Sequence, residues 1–143
     1  MIIKTRHTGL VAKDLNKSIK FYETLGLKLW KRELEKGKII SQVVGLDNAE
    51  IETAKLKVSD GSLVELLEYK SHPCVIDNAS YPSNKHGCSH IAFTVEDIEE
   101  TSNKIKELGG SIVNAPSTSL DGEVTVMYCH DIDGILMEIV QEL

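Results

Sequence analysis

The chain repeats itself faintly, and the repeat puts four side chains of metal-binding type at matching positions. The segment His7-Thr-Gly-Leu-Val-Ala-Lys-Asp14-Leu15 returns as His90-Ile-Ala-Phe-Thr-Val-Glu-Asp97-Ile98, a shift of 83 residues that also carries Leu25-Gly26 onto Leu108-Gly109. Asp60-Gly61 followed by Glu65 returns as Asp133-Gly134 followed by Glu138, a shift of 73. Each half therefore offers one His and one Glu. Two imidazoles and two carboxylates brought together suit a divalent ion such as Zn, Ni, Co, Fe or Mn.

Both halves read as the same order of elements. Residues 3–12 alternate as a strand, with Thr5, His7, Gly9 and Val11 on one face. Asp14 is placed to cap a helix whose apolar positions Leu15, Ile19, Tyr22 and Leu25 follow helical spacing, and Gly26 suits its end. Strands are expected at 27–33, 50–59 and 62–69, the last two joined through the hairpin signal Asp60-Gly61. Residues 38–46 fit a short helical turn as well as a strand, and a short helix or loop lying over the site is expected. The stretch 70–87, with Pro73, Pro82 and Gly87, reads as a linker. The second half then gives a strand at 88–95, a helix from the Asp97 cap to Leu108, and strands at 111–114, 124–130 and 135–141. Residues 115–122 read as a mobile surface loop. The expectation is an α+β fold of two β-α-β-β-β modules, 1–69 and 88–143, forming a single domain over 1–143. Neither module has enough core to stand alone, so the two are expected to pack as a pair.

Composition narrows the partners. A net charge of −6 argues against nucleic acid and anionic membrane, which recruit basic surfaces. No apolar run approaches a bilayer span and no signal-peptide pattern opens the chain, so the expected compartment is cytoplasmic. Cys74, Cys88 and Cys129 are odd in number and form no C-x-x-C pair, so reduced thiols are expected.

Strand parity tests the ligand set. Glu65 shares a face with Leu63, Leu67 and Tyr69, and Glu138 shares one with Leu136 and Val140. A carboxylate on an apolar face is costly unless a cation or hydrogen bonds compensate it. The plainer alternative leaves Glu65 and Glu138 facing solvent and makes His7 and His90 hydrogen-bonded core histidines. Four matched positions favour a metal. Arg6, Lys31, Arg32 and Lys85 would suit an anionic substrate, but read more simply as solvated partners of Glu33 and Glu35. Trp30, Tyr69, Phe93 and Tyr128 would line an apolar pocket or belong to the core. Cys88, His90, Cys129 and His130 contain zinc-type ligands, but Cys129 and His130 are adjacent in a strand and point to opposite faces.

These residues give the chain a resemblance to the vicinal oxygen chelate superfamily, which includes glyoxalase I, methylmalonyl-CoA epimerase, extradiol dioxygenases and fosfomycin-resistance proteins. The resemblance rests on His7 with Asp14-Leu15, Ser18, Phe21-Tyr22 and Leu25-Gly26-Leu27; on Gly61 with Glu65-Leu66; on Gly87 with His90, Phe93, Val95 and Asp97-Ile98; and on Asp131, Asp133-Gly134 and Glu138-Ile139. Residues 30–58 and 70–86 fall outside it, and the usual Asp-Pro-Asp-Gly turn reads Asp131-Ile-Asp133-Gly134 here. The resemblance implies paired modules whose mixed sheets form a metal-binding cup, with His7, Glu65, His90 and Glu138 as ligands. Glu at position 65 leans toward a glyoxalase-like site. By that resemblance the protein is a metal-dependent lyase or isomerase, lactoylglutathione-lyase-like, acting through an enediolate on a small carbonyl or thioester substrate, with Glu138 or Glu65 as the base. A methylmalonyl-CoA-epimerase-like enzyme and a non-enzymatic antibiotic-binding protein are the alternatives on the same fold. A homodimer is implied, its cup built within one chain or by exchange between two.

Overall fold

The computed structural model describes residues 1–74 and 82–143, in two compact units, Met1–Asp77 and Asn78–Leu143. The expected linker therefore falls partly, at 75–81, outside the described residues.

The first unit runs β1 (Thr8–Val11), α1 (Leu15–Thr24), β2 (Lys28–Lys36), α2 (Lys38–Val44), β3 (Glu50–Lys57) and β4 (Leu63–Tyr69). Its sheet has the order β1-β4-β3-β2, with β1 parallel to β4 and the other pairs antiparallel. The second unit runs β5 (Ile91–Thr94), α3 (Ile98–Glu107), β6 (Ser111–Ile112), β7 (Ser117–Thr118), β8 (Val124–His130) and β9 (Leu136–Glu142). Its sheet has the order β5-β9-β8-β6, with β5 parallel to β9 and β7 also paired to β8. Among the described residues the elements form two mixed sheets and three helices, and the α+β class is the expected one.

Period-two patterning divides each sheet into two faces. In the first unit Leu10, Ala54, Leu56, Val64 and Leu66 are buried on one face, where α1 contributes Leu15, Ile19 and Tyr22. In the second, Met127, Cys129, Met137 and Ile139 are buried with Ile98 and Ile105 of α3. His7, Glu65, His90 and Glu138 belong to neither core face.

The helices start and stop alike in both units. Asp14 Oδ1 accepts from the Lys17 amide at 3.1 Å, and Asp97 Oδ1 from the Glu100 amide at 2.8 Å. A second acceptor reaches each helix start from the last strand of its unit: Glu68 Oε2 takes the Leu15 amide and Gln141 Oε1 the Ile98 amide, both at 2.8 Å. Each pair thus satisfies two of the amides a helix start leaves open. At the far ends Gly26 and Gly109 adopt φ of 107° and 92°, a region glycine enters without the Cβ penalty.

Residues Lys38–Val44 form helix α2, the short helix expected within 38–46. Two expectations need correction. The first strand is Thr8–Val11 and not 3–12, so His7 lies just before it. The expected loop 115–122 contains β7, whose two residues pair with Val126 and Thr125 of β8.

Removing the second acceptor should weaken α3. Gln141→Ala should cost about 1 kcal/mol in urea unfolding, the usual worth of a part-buried hydrogen bond, whereas Gln141→Glu, which copies Glu68, should cost much less. The Lys17 amide bond also holds the Asp14 carboxyl below its ordinary value. A depressed folded pKa contributes stability above the unfolded value of about 4, and that contribution disappears as pH falls through the folded value. The stability difference between wild type and Asp14→Asn should therefore shrink below about pH 4 in pH-dependent unfolding.

Candidate metal centre

Parallel pairing of the first and last strands brings each His to its Glu. Gly9 pairs with Glu65 across β1 and β4, and Ala92 pairs with Glu138 across β5 and β9. His7 and His90 each sit two residues earlier, on the same side of the pleat. His7 Nε2 lies 2.9 Å from Glu65 Oε2, and His90 Nε2 lies 3.1 Å from Glu138 Oε2. Each unit thus holds one of the two expected ligand pairs. Among the described residues, no group of three or more His, Cys, Asp or Glu side chains is gathered in a position to hold a metal ion.

The two pairs differ in their surroundings. Glu65 has a side chain only 10% exposed, and Lys55 Nζ lies 3.3 Å from its second oxygen. Lys55 was not anticipated from sequence, although it stands directly opposite Glu65 in the β3–β4 ladder. Glu138 is 26% exposed, and among the described residues its ion-pair partner is His90 alone. The Tyr128 ring stands edge-on to His90, with centroids 5.2 Å apart, which fixes the imidazole plane.

The donor chemistry fits a cation. Ser89 Oγ donates to the Ser83 carbonyl at 2.9 Å and lies 3.0 Å from His90 Nδ1. A hydroxyl has one proton to give, so while Ser89 gives it to the Ser83 carbonyl it accepts toward Nδ1, and that tautomer carries the His90 proton on Nδ1. The Nε2 lone pair then faces the Glu138 carboxylate. Two such donors are compatible at this distance when a proton or a metal ion lies between them. Imidazole and carboxylate are donor types that hold Zn, Ni, Co, Fe or Mn, and each His–Glu separation, 2.9 Å and 3.1 Å, is equally that of an ordinary hydrogen bond.

Other candidates fall elsewhere. Arg32 pairs with Ala54 in the ladder, which places it on the face opposite Glu65, and its guanidinium binds Glu52 at 2.6 Å. Burial raises the Glu52 pKa, but hydrogen bonds from Arg32 and Lys70 outweigh it and leave the carboxyl below its ordinary value. Lys31 does pair with Glu33, at 2.8 Å. Tyr69 shares the face of Glu65 and Tyr128 that of Glu138, whereas Phe93 pairs with Ile139 on the core face. Cys129 is fully buried, and desolvation followed by the Asp131 charge pushes its thiol up to about 12.

The chain matches the Glyoxalase/Bleomycin resistance protein/Dioxygenase superfamily over residues 4–139, and it belongs to that family. A protein of Synechocystis sp. named "Probable lactoylglutathione lyase" is 31% identical over 137 residues, covering 94% of this chain and 92% of its own. The lactoylglutathione lyase of Neisseria meningitidis serogroup B is 29% identical over 139 residues, covering 95% of this chain and 88% of its own. Among solved structures, a glyoxalase family protein from Bacillus cereus superposes with a TM-score of 0.92 at 28% identity, covering 100% of this chain and 96% of its own. A mutant of the fosfomycin resistance protein FosX from Listeria monocytogenes, complexed with Mn(II) and 1S,2S-dihydroxypropylphosphonic acid, shares the fold at a TM-score of 0.62 and 20% identity, covering 97% of this chain and 90% of its own.

A buried thiol held protonated does not alkylate, because the thiolate is the nucleophile. Iodoacetamide on the native protein should label the exposed Cys74 and Cys88 and leave Cys129 unmodified until the chain is unfolded, as read by peptide mass spectrometry.

Proposed function

We propose that this protein is a divalent-metal-dependent lyase or isomerase of glyoxalase type, acting on a small carbonyl or thioester substrate. His7, Glu65, His90 and Glu138 are its metal ligands, joined within one chain or by exchange between two chains of a homodimer. The observation that carries this reading is the repeated placement of an imidazole Nε2 against a carboxylate oxygen, at 2.9 Å and 3.1 Å. The family and the lactoylglutathione lyases at 31% and 29% identity support glyoxalase-type chemistry.

A divalent ion held by these residues would supply Lewis acidity that lowers the pKa of the C–H beside the substrate carbonyl. The chain's own groups handle the proton. Glu65, engaged through both oxygens by His7 and Lys55, is the fixed carboxylate. Glu138, more exposed and with a single ion-pair partner, takes the proton from the carbon beside the carbonyl and delivers it to the neighbouring carbon. Ser89 and Tyr128 hold His90 in orientation and tautomer while this happens.

One observation favours a second reading, a ligand-binding protein that works without metal. The Lys55 ammonium and the His7 imidazole can balance the Glu65 carboxylate by themselves.

The discriminating experiment is turnover of hemithioacetals and of acyl-CoA epimers by untagged protein, after chelation and after each metal is restored. The first reading predicts activity on one substrate class that chelation abolishes. Glu138→Gln should lower kcat by about 10²–10⁴-fold, the contribution of a general base. Ser89→Ala should weaken metal binding about tenfold, as loss of an outer-shell partner does. Specific ligand binding with no turnover under any metal would favour the second reading.

A further inference from the structure

The face of the first unit's sheet that carries Glu65 also carries four lysines whose arrangement the fold does not explain. Lys28 opposes Lys57 and Lys31 opposes Lys55 across β2 and β3, and Lys55 opposes Glu65 across β3 and β4. Cross-strand partners share a face, as do alternate residues of one strand, so all four lysines project on the Glu65 side. Like charges placed directly opposite each other destabilise a sheet. Here two such pairs follow one another in a chain whose net charge is −6. Lysines on an edge strand guard against unwanted pairing, which accounts for Lys28 and Lys31 on β2. It does not account for Lys55 and Lys57, which lie on the interior strand β3.

Acidic partners cover only half of the cluster. Lys31 meets Glu33 at 2.8 Å and Lys55 meets Glu65 at 3.3 Å. Among the described residues Lys28 and Lys57 have no carboxylate within ion-pair distance. Lys57 lies instead over Trp30, its Nζ 4.3 Å from the ring centroid. The register shifts between Leu29 and Lys31, so Trp30 is the extra residue of an irregularity in the ladder, and its side chain is left 54% exposed. Such bulges recur where a side chain is re-aimed beside a functional site.

We infer that this lysine face is the subsite for an anionic group of the substrate, a phosphate or a carboxylate, received by Lys28 and Lys57 beside the Trp30 ring. Lys31 and Lys55 continue the positive strip toward Glu65 and His7. The inference rests on the reading of His7 and Glu65 as part of the reaction centre. It adds that the substrate carries negative charge away from its reacting carbons.

Trp30 is the only tryptophan in the chain, so its fluorescence reports on this face alone. The full-length protein, metal-free and metal-loaded, would be titrated with inorganic pyrophosphate and with succinate at constant ionic strength. A saturable emission change is expected, with pyrophosphate for a phosphate subsite or with succinate for a carboxylate subsite. Replacing Lys28→Met together with Lys57→Met should weaken it about tenfold and leave metal content unchanged. The thermal midpoint of that variant should match or exceed wild type, since a like-charge pair is removed. In the wild-type protein, iodide should quench Trp30 more efficiently than caesium by a margin wider than for free N-acetyltryptophanamide. No saturable change with either anion, an unchanged affinity in the double variant, or no iodide preference would overturn the inference. Because these signals need no metal, a protein that binds none would still test it.

Discussion

A carboxylate with little access to water, held on a sheet face that also carries leucines, is the constraint around which the first unit is arranged. Glu65 is 7% exposed overall, and such a group is costly in its charged form unless cationic or hydrogen-bonding partners surround it. His7 takes one oxygen and Lys55 the other. Each partner depends on a different neighbouring strand: β1 delivers His7 by parallel pairing and β3 delivers Lys55 by antiparallel pairing. Placing β4 between β1 and β3 makes both contacts available to one side chain.

The second unit repeats the geometry without the same electrostatics. Ala92 stands to Glu138 as Gly9 stands to Glu65, and the helix starts are held by Gln141 and Glu68 in corresponding ways. No lysine plays the part of Lys55 at Glu138: the residue opposite it on β8 is Tyr128, whose ring stands edge-on to His90. One carboxylate is therefore pinned from both sides and the other is restrained from one. That asymmetry assigns the proton-moving role to Glu138 in the proposed mechanism.

The duplicated framework was legible because it is written in spacing. The 83-residue shift identified both histidines, both Asp caps and both helix-ending glycines, and the 73-residue shift identified both glutamates. That second shift also relates Glu68 to Gln141, a pair of matched cap acceptors that went unread because one is charged and the other an amide. Lys55 was not legible, since its role depends on which β4 residue it opposes, and register is fixed by pairing and not by composition. The two-residue strand β7 is too short for period-two alternation to reveal. Trp30 looked like a candidate pocket residue, but its contact with Lys57 depends on the irregularity after Leu29, which no local pattern announces.

If the two His–Glu pairs are ligands of a divalent ion, as proposed, the protein must bind that ion through both pairs. Untagged wild-type protein would be compared by elemental analysis with His7→Ala and His90→Ala, as purified and after dialysis against Ni, Zn, Co, Fe and Mn. Wild type should bind one of these ions stoichiometrically, and both variants, one from each unit, should lose it. Absence of metal from wild type under every condition, or binding that survives both substitutions, would contradict the proposal.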